Sequence, residues 1–145
     1  MGSGIQPYRG DYVRPSFRNA TVADAMTPGI ITCAPETPLE TVAELMATHR
    51  VHAVAVGGIA AQHLVWAVID SMDLIRALHH PQRGTFAEAI SRQPAHPIDP
   101  GAPLAEAVRM MDELNTAHLV VVDRGRPVGV LSTLDVAGAA AWGRR

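Results

Sequence analysis

With 145 residues, 48% of them hydrophobic, and a net charge of −2, the chain is long enough for one compact domain or two small units sharing a core, and too near neutral for a general polyanion binder. Only six residues are Phe, Trp or Tyr, so the core is aliphatic, and all 12 basic side chains are Arg, which excludes a phosphate-loop lysine and a lysine Schiff base. The single Cys33 excludes an internal disulfide and a cysteine-only zinc site and points to a reducing cytoplasm; no apolar run approaches the roughly 18–20 residues of a membrane span, and residues 1–19 lack the apolar stretch of a secretory signal.

Residues 1–20 read as an irregular arm carrying Arg9, Arg14 and Arg18 among Tyr8, Tyr12 and Phe17. Such interleaving can stack on single-stranded nucleic acid, but three arginines offset by Asp11 are too few, and packing across the module is the better expectation. Residues 21–26 predict a short helix capped by Thr21, and residues 30–33 a short strand between Pro28 and Pro35. Thr37-Pro38-Leu39-Glu40 then has the form of a capping box with proline at the first helical position. Leu39, Val42, Ala43 and Met46 follow at the spacing of one helical face. Residues 51–56 alternate and predict a strand, Gly57-Gly58 a turn, residues 64–69 a second strand, and Asp70-Ser71-Met72-Asp73 a new helix start. Residues 79–84 read as a linker.

The same order then returns. Thr21-Val22-Ala23-Asp24-Ala25-Met26-Thr27 recurs as Thr85-Phe86-Ala87-Glu88-Ala89-Ile90-Ser91, 64 residues on. Pro38-Leu39 with Met46 recurs as Pro103-Leu104 with Met111, and Val68-Ile69-Asp70-Ser71-Met72-Asp73 as Val130-Leu131-Ser132-Thr133-Leu134-Asp135. In the second copy residues 117–122 and 127–131 are the strands, joined by a turn at Asp123-Arg124-Gly125-Arg126. The units are residues 21–78 and 85–142, each short helix, strand, helix, strand, strand, helix. A duplicated unit predicts pseudo-twofold symmetry and two copies of any site at the junction.

Val22-Ala23-Asp24-Ala25-Met26-Thr27, the strand at 30–33, Thr37-Pro38-Leu39 and Gly129-Val130-Leu131-Ser132-Thr133-Leu134-Asp135, in this order and twice over, resemble the CBS domain, the small regulatory module named after cystathionine β-synthase. The resemblance covers residues 21 to about 140. It implies an α/β fold of the α+β type, a pseudo-twofold tandem pair with two sheets packed face to face and helices outside. It also implies a homodimer, and a regulatory ligand that contains adenosine: AMP, ADP or ATP, with or without Mg²⁺.

Ser132-x-x-Asp135 has its own chemistry. Ser132 can cap the helix that follows, whose first turn offers free N–H groups and a positive dipole end to a phosphate. Asp135 can accept two ribose hydroxyls; plain capping without a ligand is the alternative. The resemblance places ribose on the residue matching Asp135 and phosphate beside Ser132 and Thr133. The first copy departs, with Asp70 in place of Ser132 and Ala67 in place of Gly129. Asp70 caps as well as serine, but a carboxylate beside a phosphate repels it unless Mg²⁺ or Arg76 intervenes. Asp73 keeps the ribose role. The first cleft is therefore expected to disfavour polyphosphates, and the second is the better nucleotide site.

The resemblance puts base contacts at Thr32 to Ala34 with Ala53 and Val54, and at His96 to Ile98 with His118 and Leu119. His96 and His118 either serve a purine or are strand-end histidines. His49-x-x-His52 straddles a helix end and marks no third ligand, so no metal site is expected. Cys33 has no His–acid partners and reads as a core thiol, and no nucleophile–base pair marks an enzyme. The leading expectation is a regulatory module sensing an adenosine nucleotide and reporting to another protein; the alternative is a structural or interaction dimer without nucleotide.

Overall fold

The computed structural model describes residues 17–58, 64–80, 86–91 and 93–142. Most of the arm, with Tyr8, Arg9, Tyr12 and Arg14, and residues 81–84 of the linker lie outside them. The first unit comprises α1 (Val22–Ala25), β1 (Thr27–Pro28), β2 (Thr32–Cys33), α2 (Leu39–His49), β3 (Ala53–Gly58), β4 (Leu64–Asp70) and α3 (Ser71–His79). The second comprises α4 (Ala87–Ile90), β5 (Gln93–Pro94), β6 (Pro97–Ile98), α5 (Leu104–Leu114), β7 (His118–Asp123), β8 (Arg126–Ser132) and α6 (Thr133–Trp142).

The copies exchange their edges. One sheet has the order β2-β3-β4-β5 and the other β1-β8-β7-β6, so each takes its last strand from the other copy. β1 pairs antiparallel with β8 through Thr27↔Val130 and Pro28↔Gly129, and β5 pairs with β4 through Ala67↔Pro94. The short helices cross over too. Ala20 and Val22 pack with Leu104, Leu119 and Leu131, while Ala87 and Ile90 pack with Val42, Val54 and Ile69. The sequence repeat and the packing unit are thus offset, and neither copy completes a core without the other.

Strand alternation sets the layers. Val54, Val56 and Ile69 face the helices of one core, and Leu119, Val121 and Leu131 those of the other. Ala55, Val68 and Val120, next to them in sequence, are buried outside both cores, on the opposite faces of their strands. Burial on both faces explains the near-continuous apolar runs in these strands.

Local sequence accounts for most element ends. α2 and α5 stop at Arg50 and Asn115, both left-handed, with φ of 53° and 50°. Asn is a common residue there, and Arg is not. Arg124 and Gly125, with φ of 53° and 79°, form the two-residue turn between β7 and β8, a conformation that suits glycine at the second position. Two expectations are corrected. α2 begins at Leu39 with Pro38 as its cap and no capping box from Thr37, because Pro38 stays extended (ψ 153°) in a bridge to Phe86 and the Thr37 carbonyl accepts from the Ala87 amide. Gly57-Gly58 is no turn but the end of β3, after a register shift at Val56/Gly57 that β7 repeats at Val121/Val122.

Candidate functional site

Where the sheet-to-sheet layer reaches the ends of β3 and β7, it opens into a cleft of about 450 Å³. The second copy provides His118, Val130, Ser132 and Asp135, and the first provides two segments, residues 27–31 and 49–53. The edge exchange brings them together: β1 lies along β8, so the chain leaving it crosses in front of the start of α6.

At that helix start Ser132 and Asp135 form a reciprocal cap. The Ser132 amide donates to Asp135 Oδ2 at 2.9 Å, and the Asp135 amide to Ser132 Oγ at 3.2 Å. Asp135 Oδ1 accepts the Thr27 hydroxyl at 3.2 Å. A carboxylate has about four acceptor positions, so two protein bonds leave roughly two for a diol. Ser132 Oγ accepts from the helix, which leaves its own O–H to donate outward. The cap and the ligand role are compatible on the same two side chains.

The opposite rim is basic. His49 and Arg50 end α2, His52 precedes β3, all three are exposed, and all line the cleft. Arg50 is the left-handed residue that ends α2. His118 lines the floor, and its Nδ1 is sealed from solvent without a hydrogen-bond partner. Burial holds this imidazole below the ordinary histidine value; Asp70 pulls it upward, His52 adds to the lowering, and Asp135 pulls upward.

The family model for the CBS domain matches residues 22–80 and again 87–141. The chain belongs to the CBS domain family. Solved CBS structures share the fold. CBSX2 in complex with AMP is 22% identical with a TM-score of 0.71, covering 86% of this chain and 99% of that one. An uncharacterized conserved protein from Pyrococcus horikoshii is 23% identical with a TM-score of 0.74, covering 88% and 96%. The CBS domain pair of MJ0100, in complex with 5′-methylthioadenosine and S-adenosyl-L-methionine, is 20% identical with a TM-score of 0.71, covering 81% and 93%. No curated protein matches.

The corresponding motif of the first CBS repeat is closed on itself. Asp73 is 2% exposed. Its Oδ2 accepts the Asp70 amide at 3.0 Å, Asp70 Oδ1 accepts the Asp73 amide at 2.8 Å, and Arg76 lies 3.4 Å from Asp73 Oδ1. Burial raises the Asp73 carboxyl above the usual aspartate value; the backbone bond at Asp70 works against that, the Asp70 carboxylate adds to the rise, and the Arg76 charge opposes it last. Asp73, of which a ribose role is expected, thus has its carboxylate facing protein, with Arg76 as its partner.

Of the residues read from the sequence, the cleft gathers Ala53, His118, Ser132 and Asp135. Val54, Ile98 and Leu119 are in the helix-side cores, because each neighbours a cleft- or interface-facing position and side chains alternate. Thr32 and Ala34 lie just past the wall, which is made by Ile30 and Ile31, since β2 starts only at Thr32. His96 is half-buried beside β7, where its carbonyl accepts the Val120 amide, and Thr133 is exposed on α6. Thr27, Arg50 and the cleft role of His49 and His52 were missed. The His49-x-x-His52 pair is visible in the sequence, but nothing local ties it, Thr27 or Arg50 to a cleft.

Cys33 is buried in the first core, where burial raises its thiol and a bond with the Thr37 side chain lowers it. Phe17 packs half-buried on the second core and Arg18 is exposed. Among the described residues no group of three or more His, Cys, Asp or Glu is placed to hold a metal ion, and no helix is long and apolar enough to cross a membrane.

Proposed function

We propose that this CBS pair is a regulatory module that binds an adenosine nucleotide of the AMP, ADP or ATP type in the Ser132–Asp135 cleft and reports its occupancy to a partner protein rather than catalysing a reaction. The observation that carries this is the open face of Asp135: a helix-capping carboxylate with acceptor capacity left over, between an apolar wall and a basic rim. Ribose sits on Asp135, and the base against Ile31, Ala53 and Val130. Phosphate lies between the N-terminus of α6, Ser132 Oγ and Arg50. Mg²⁺ would accompany ATP through the phosphates. CBSX2 with AMP and MJ0100 with 5′-methylthioadenosine and S-adenosyl-L-methionine support an adenosine ligand. The basic rim favours the anionic members of that set. The closed Asp70–Asp73 motif favours one nucleotide per chain.

A thermal-shift panel tests this. AMP, ADP and ATP at about 100 times their Kd raise the melting temperature, each by the equivalent of roughly 2.7 kcal/mol of stabilisation. S-Adenosylmethionine, whose sulfonium meets the basic rim, does so less. No shift with any of them overturns the reading and leaves the interaction module without nucleotide.

We also propose a homodimer. On α3, Met72, Ile75 and Leu78 are 51%, 54% and 57% exposed at a spacing of three. Apolar stripes of this kind are covered in an assembly more often than left in water. Wild-type protein sediments as a dimer at micromolar concentration and Ile75→Asp as a folded monomer; a monomeric wild type contradicts the proposal.

A further inference from the structure

Three of the chain's seven histidines line this one cleft. They arrive from different places: His49 from the last turn of α2, His52 from the connection to β3, and His118 from the first position of β7. Arg50 stands among them. The acids that face this group are Asp135 at the head of α6 and Asp70 at the end of β4, which acts on His118 from the other side. We propose that nucleotide binding in this cleft takes up protons: as phosphate enters, the imidazoles around Arg50 become charged, so pH sets how tightly the module holds its ligand. This rests on the nucleotide reading above.

Imidazoles change charge between about pH 5 and 8, whereas guanidinium keeps its charge throughout. The rim therefore has a fixed part, Arg50, and a titrating part. In the empty cleft charging His118 has a cost, because burial disfavours its charged form and a charge on His52 repels it. A phosphate brings a charge of about −1.5 to −2, and an opposite charge within about 4–6 Å favours the charged form of its neighbour. Phosphate thus offsets both the desolvation and the repulsion. The sign follows. If the ligand raises an imidazole's pKa, binding takes up a proton, and affinity falls as pH rises through the bound-state value. Below the free-state value the dependence vanishes, because the proton is already there.

The test is a calorimetric titration of the full chain with ATP from about pH 7 to about pH 8.5, where the phosphate's own second ionisation, near 6, is complete. Buffers of different ionisation enthalpy read the protons directly. The expected result is net uptake of about one proton per ATP and an affinity about tenfold weaker at the high end. Arg50→Gln weakens binding at every pH with the slope kept. The combined His49→Gln, His52→Gln and His118→Gln variant abolishes the slope, and His52→Gln alone, at an exposed position, reduces it even if the combined variant does not fold. ATP binding with no proton uptake and no pH dependence overturns the inference and leaves the nucleotide reading intact. No ATP binding at any pH overturns the inference, and the nucleotide reading falls with it only if AMP and ADP also fail to bind.

Discussion

Asp135→Ala binds nucleotide on the order of 100-fold more weakly than the wild type, while Asp73→Ala leaves affinity within about twofold. The carboxylate of Asp135 supplies two bonds to a ribose diol, each worth about 1.5–3 kcal/mol when one partner is charged, and water recovers part of that. Its structural share is smaller. It accepts from the Ser132 amide and the Thr27 hydroxyl near the surface, and losing that half of the cap costs about 1 kcal/mol. For Asp73 the ordering reverses. Its substitution removes a buried acceptor from the Asp70 amide and strands Arg76, so it lowers the melting temperature without touching the cleft. Calorimetry and thermal unfolding on the two variants separate the roles, and equal losses of affinity would show that both CBS motifs hold ligand.

Gly129→Ala carries the second large effect, on folding. A Cβ at this position would lie 2.6 Å from the Thr27 carbonyl oxygen and 3.1 Å from Met26 Sδ. The oxygen belongs to β1, the strand lent by the other repeat, so relief requires β1 to move off β8. Overpacking against backbone costs about 1–3 kcal/mol, a fall in melting temperature of roughly 5–10 °C for a chain of this size. Thr27 is also the hydroxyl partner of Asp135, so nucleotide affinity drops with it. The first repeat tolerates Ala67 at the matching position, where the residue opposite is Pro94 of β5 and the side chain points into the first core. Unchanged unfolding in Gly129→Ala would mean that β1 does not hold the registry assigned to it.

The duplicated motifs made the element order, the helical faces and the Ser-x-x-Asp cap legible from the sequence, because each is written locally. Asp70 and Ser132 cap helices as their spacing from an acid three residues later suggests, and Thr21 stands at the cap position of α1 with its amide donating to Asp24. The crossing of β1 and β5 was not legible. Two-residue strands such as Thr27–Pro28 and Gln93–Pro94 have no periodicity, and the pairing of β1 with a strand some hundred residues on leaves no local mark. The cleft depends on that crossing, so its floor was legible at His118, Ser132 and Asp135 and its rim was not. Asp73 had the right type for a ligand group, but its burial depends on the packing of its whole repeat. Arg50 is the most instructive omission, since a basic residue at a helix end carries no local mark of the cleft it lines.

A crystal structure of the full chain grown with ATP decides where the ligand lies. One nucleotide per chain is expected, its ribose on Asp135 and its phosphates at the start of α6 beside Arg50, with Asp73 and Arg76 still paired. A nucleotide held by Asp70 and Asp73, or lying outside the Ser132–Asp135 cleft, would contradict this placement.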